Sequence, residues 1–163
     1  MSPTIIFNIH LVLGYVCWLL CWPILWPRLR AMDRTQALRL IAMLHSFRFF
    51  GLVFLLPGVV GPHLPPPFAV FAAWGDFATG SLAMLALLSF RVRRLFDALT
   101  IAFNLVGMAD LIGNYYHGIT LGLPQVAGDL GAAYAIPILF VPILMITHVA
   151  AFALLLRPVR QTG

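Results

Sequence analysis

The chain has 163 residues, of which 62% are hydrophobic and 9% charged, and its mean hydropathy is +0.99, whereas a soluble domain is about half apolar and about a quarter charged. Disorder, a collagen-like repeat, a disulfide scaffold and a soluble enzyme domain are thereby excluded. All ten cations are arginine and all five anions aspartate, a net charge of +5 scattered between apolar stretches, so a lipid bilayer rather than nucleic acid is the expected partner.

A membrane-crossing helix needs about 20 predominantly apolar residues. Five stretches qualify, at approximately 4–26, 38–60, 68–90, 95–116 and 132–156. They predict an all-α integral membrane protein, a five-transmembrane-helix bundle in one domain over 1–163. The first stretch has no basic leader and no small-residue cleavage site, and Trp26-Pro27-Arg28 follows it, so it reads as a span rather than a signal peptide. It holds both cysteines, Cys17 and Cys21, four residues apart on one helix face and read as free packing thiols. Trp18, Trp22 and Trp26 form a stripe toward one interface, and Tyr115, Tyr116 and Tyr134 mark the other.

The connections orient the bundle. Arg28, Arg30, Arg34 and Arg39 surround the first loop, Arg91, Arg93 and Arg94 the third, and Arg157 and Arg160 follow the last helix. The other loops and the N-terminus carry no arginine, so the positive-inside rule places the N-terminus outside and the C-terminus inside. Asp33, with Gln36 three residues on, reads as a helix N-cap. Gly61 to Pro67 is a stiff, proline-rich outer turn. The apolar, glycine-rich stretch 117–131 either lies on the membrane or folds back over the bundle. The absence of lysine and glutamate resembles GC-rich codon usage and suggests a bacterial source, so the expected location of the bundle is a bacterial inner membrane. Faces bearing glycine and tryptophan would suit a homodimer.

An ionisable side chain in hydrocarbon needs a partner or a purpose. Arg48 lies near the middle of the second span and reaches the depth of Asp76 on the third, which predicts an ion pair. Asp110 has no evident arginine, and is expected either to carry a proton or to face water. On the fourth span Asn104, Gly107, Asp110, Asn114 and His117 share one face, and on the third Asp76 and Thr79 do. These stripes either hydrogen-bond helices together or line a small wet cavity. His45 and His148 fall at similar depths on two helices, with Arg48 one turn from His45. Opposed imidazoles are the usual axial ligands of haem b, and an arginine commonly neutralises a propionate. His10 and His117 offer a second such pair, and Pro137 and Pro142 bend the last helix.

The run Leu44-His45-Ser46-Phe47-Arg48-Phe49-Phe50-Gly51-Leu52, with Gly75-Asp76-Phe77-Ala78-Thr79-Gly80, resembles small five-helix bacterial membrane proteins of no assigned function. That resemblance covers most of the chain and implies a fold and a location without an activity. His10, His45 and His148 loosely resemble the haem-ligating histidines of b561-type cytochromes, which usually have four helices and a different histidine spacing. Leu139-Phe140-Val141-Pro142 resembles the last helix of the translocator-protein (TspO) family, whose tryptophan signatures this chain lacks.

Three functions follow as expectations. The first is a small membrane cytochrome for electron transfer, with His45 and His148 as iron ligands and a redox partner or quinone. The second is a small-solute or proton-coupled transporter using Asp76, Asp110, Arg48 and the polar stripe with Asn104, Asn114 and Thr79. The third is a non-catalytic assembly subunit. No catalytic triad, HExxH, P-loop or dinucleotide motif is present.

Overall fold

A computed structural model describes residues 1–157. Arg160, one of the arginines used for orientation, lies outside them. Five helices are long and apolar enough to cross a membrane. They alternate in direction, so the described loop arginines collect at one end of the bundle. The N-terminus and the proline-rich turn lie at the other, here called the proline end.

Helix α1 spans Pro3–Ala31, capped by the Ser2 hydroxyl, which accepts from the Ile5 amide. It lies at the periphery, and of its residues only Phe7 and Gly14 are buried. Cys17 and Cys21 are free but exposed, rather than packed inside. Helix α2, Arg34–Ser46, starts where Asp33 predicts, the carboxylate accepting from the amides of Thr35 and Gln36. It then tightens into a 3-10 helix over Phe47–Leu55. The 13 α-helical and nine 3-10 residues rise about 20 and about 18 Å. The span therefore ends at Leu55 rather than near residue 60. Helices α3, Pro66–Leu88, and α4, Arg93–Thr120, run antiparallel and make a central layer with the 3-10 segment.

The stretch after α4 folds back over the proline end as a second 3-10 segment, Leu123–Tyr134. Its buried Leu123, Ala127, Leu130 and Ala133 join Phe7, Phe54 and Phe68 in one apolar core. A π-helical turn, Ile136–Phe140, leads into α5, Val141–Leu155, and its Val141 amide donates to the Ile136 carbonyl, five residues back. Pro142 has no N–H, and so leaves a carbonyl free one turn earlier. Gly14 of α1 lies against that Ile138 carbonyl, where a Cβ would collide. The indole of Trp18 donates to the next carbonyl, Leu139, at 2.8 Å. Trp18 is thus a link between helices rather than an interface anchor, while Trp22 and Trp26 stack at 5.7 Å between ring centres.

A second apolar core fills the arginine end with Leu38, Ile41, Phe96, Phe103, Ala151 and Leu154. The intramembrane polar residues of α2 to α5 sit between the two cores.

Candidate functional site

Arg48 is the largest fully buried side chain among the described residues, at 1% exposure. A guanidinium presents five N–H donors in a planar fork and accepts nothing. Here the fork is shared across three helices. Nε donates to Asp76 Oδ1 of α3 at 2.6 Å, and Nη2 donates to Asp110 Oδ2 of α4. Nη1 donates to the Gly107 carbonyl and to His148 Nε2, each at 3.3 Å. Glycines make room for this cluster. A Cβ on Gly51 would meet the Asp76 side chain and one on Gly75 that of Asp110, while one on Gly107 would lie 2.6 Å from His148 Nε2 and 2.7 Å from Arg48 Nη1.

The expected Arg48–Asp76 pair is present, but the expectation that Asp110 lacks an arginine is corrected, because one guanidinium serves both carboxylates. The protonation pattern of His148 follows from its neighbours. Arg48 can only donate, so Nε2 accepts and the ring proton sits on Nδ1, which donates to Asn104 Oδ1 at 2.8 Å. Asn104 in turn donates to the Thr100 carbonyl at 2.7 Å. His45 lies beside this chain. The Thr147 hydroxyl donates to the Ile143 carbonyl, so it accepts from His45 Nε2–H at 3.0 Å, and His45 Nδ1 has no partner among the described residues.

His45 and His148 do face each other, yet their ring centres are 4.1 Å apart. An axial pair must hold a macrocycle between its rings, whereas these rings touch. Both nitrogens of His148 are also engaged by protein. The residues as packed do not fit a bis-histidine haem, and Arg48 is held by aspartates rather than free for a propionate. His10 bonds Tyr134 at 3.0 Å and His117 the Gly113 carbonyl at 2.8 Å, so neither is directed at the other. Among the described residues there is no cluster of three or more histidine, cysteine or acidic residues that could hold a metal ion. Thr79 donates back to the Gly75 carbonyl within its own helix.

Toward the proline end the cluster meets a half-open cavity of about 210 Å³. Phe7, Asn8 and Leu11 of α1 form one wall, and Asn114, Tyr115, Gly118 and Ile119 of α4 the opposite one. Phe54, Phe68, Ala72, Leu123, Pro124, Ile136 and Pro137 complete the lining, and Asp76, at the end nearest the cluster, is its floor. Asn114 donates to Asp110 Oδ2 at 3.1 Å. The Tyr15 and Tyr115 hydroxyls meet at 2.7 Å and tie the two walls together. The sequence reading missed the tyrosine pair and the α1 wall.

A family model, described as a domain of unknown function (DUF8737), matches residues 6–156. The chain belongs to that family. No curated protein and no solved structure matches it, so neither the b561-type cytochromes nor the translocator proteins gain a link to this DUF8737 chain.

Proposed function

We propose that the chain is a multi-pass membrane protein, with its arginine end on the cytoplasmic side of a bacterial inner membrane, that carries a small solute in exchange for a proton. The observation behind this reading is Asp76, a single carboxylate that pairs with a fully buried arginine and also forms the floor of a cavity. Arg48 supplies one positive charge against the two negative charges of Asp76 and Asp110. An uncompensated charge in hydrocarbon is costly, so a proton or a cationic ligand completes the cluster, and the two compete for the same oxygens.

The groups that face Asp76 set this exchange. The α2 extension supplies Arg48, with His45 one turn away, and α4 supplies Asp110 and Asn114, with His117 bonded to Gly113 outside the lining. His148 of α5 acts through Arg48, and α1 brings only the neutral Asn8 and Tyr15.

The absence of glutamate gives a direct test. With carboxyl-labelled aspartate, infrared spectroscopy of the reconstituted protein reports only five side-chain carboxyl groups. One protonated carboxylic acid is expected in neutral buffer, lost in the Asp76→Asn/Asp110→Asn variant and kept in Asp97→Asn. Five fully ionised aspartates at neutral pH would refute the exchange.

A further inference from the structure

The cavity has a one-sided polar chemistry. Among the described residues, the Asn114 amide nitrogen is already bonded to Asp110, its Oδ1 has no donor, and Asp76 Oδ2 accepts no hydrogen bond. Asp76 is itself 6% exposed. Arg48 has no room to turn toward a ligand, being fully buried and bonded at Nε, Nη1 and Nη2. The floor therefore presents the free carboxylate oxygen of Asp76, the nearby charge is in net negative excess, and the walls are mostly aromatic and aliphatic. At about 210 Å³ the space exceeds the ~150 Å³ cavity known to take benzene.

We propose that this cavity binds a small lipophilic primary amine, about one ring with a short alkyl arm, its ammonium on Asp76 and its apolar body against Phe54 and Phe68. The site rests on the carrier reading only for the exchange step. There, the incoming ammonium replaces one proton, which leaves to water, so the charge of the cluster is conserved. An anion meets the wrong charge. A neutral alcohol satisfies one oxygen without balancing the cluster. A hydrogen bond to a charged group is stronger than a neutral one by about 1–1.5 kcal/mol, a factor of about ten in affinity.

The test is calorimetric titration of the detergent-purified full chain with 2-phenylethylamine, 2-phenylethanol and 3-phenylpropanoate. The control is Gly118→Leu. A Cβ at Gly118 would find its nearest neighbours, Leu123 and Phe68, no closer than 3.6 Å, so the new side chain fills the cavity without touching the Arg48 cluster. Leucine also favours helix over glycine, so this variant keeps the fold where Asp76→Asn risks losing it. Partition into micelles is common to both proteins and subtracts out.

The amine is expected to bind saturably, the alcohol about ten-fold more weakly, the carboxylate not measurably, and Gly118→Leu to bind none of them. Equal affinity for amine and alcohol, binding of the carboxylate, or undiminished binding by Gly118→Leu overturns the proposal. The infrared measurement separates this from the carrier reading. A protonated aspartate with no amine binding overturns the ligand class alone. Amine binding without a protonated aspartate supports the site and overturns the exchange.

Discussion

Replacing Arg48 by methionine tests the charge cluster most directly, since methionine keeps much of the apolar stem and removes the guanidinium. Two of the bonds lost are charge-assisted, to Asp76 at 2.6 Å and to Asp110, while those to Gly107 and His148 are long at 3.3 Å. Hydrogen bonds to charged groups contribute about 1.5–3 kcal/mol each, so the two strong ones together amount to roughly 3–6 kcal/mol. Breaking a buried ion pair by removing one partner costs about 3–5 kcal/mol. The unfolded chain in a micelle retains some polar partners, which brings the expectation to the lower end, about 3 kcal/mol. The assay is reversible unfolding in mixed micelles, followed by the fluorescence of the four tryptophans. The decisive comparison is the triple variant Arg48→Met/Asp76→Asn/Asp110→Asn, which removes both signs of charge. It should be more stable than the single variant, because it removes the two uncompensated charges and leaves only neutral amides short of partners. A single variant that loses less than about 1 kcal/mol, or a triple variant as unstable as the single one, refutes the reasoning.

Three further outcomes follow. Gly107→Ala pushes a methyl into His148 and Arg48 and should destabilise by about 1–3 kcal/mol in the same titration; a neutral effect would mean that α4 and α5 are free to separate. His148→Phe strands a donor on Arg48 and an acceptor on Asn104, whereas His45→Phe leaves Thr147 bonded to its own helix, so the former should cost about 1–3 kcal/mol more. Purified protein mixed with ferric haem and then reduced should give no sharp low-spin absorption bands; their appearance, and loss in His148→Phe, would show that the touching imidazoles part to hold iron.

Much of the architecture was legible because bilayer thickness imposes its length on the sequence. Five apolar stretches became five helices, and Asp33 capped the helix its spacing implied. One boundary shifted where the backbone changed its rise per residue, between Phe47 and Leu55, whereas α1 and α4 simply continue past their expected ends, to Ala31 and Thr120. The roof was hidden by its glycines, although Leu123, Ala127, Leu130 and Ala133 recur at four, three and three residues, a helical signal. In the site, counting depth along each helix correctly paired Arg48 with Asp76. It missed Asp110 because depth alone does not show that one fork reaches two helices. Depth also placed His45 level with His148 but could not separate contact from a gap. The cavity needed the third dimension, since its α1 wall is brought to α4 by packing and not by sequence.

The packing of α1 sets an order on how this protein is made. Its side-chain bonds run from His10 to Tyr134, from Tyr15 to Tyr115 and from Trp18 to Leu139, and it touches α2 only slightly. The helix translated earliest of these five therefore docks on elements translated much later. From Ala31 to Phe140 is 140 − 31 = 109 residues, or about 5–20 s of translation at ~5–20 residues per second. Through that interval α1 stands alone in lipid, which its nearly uniform apolar surface allows. The cavity closes only when α1 meets α4 and the elements that follow it, so until then Asp76 lies beside an open groove.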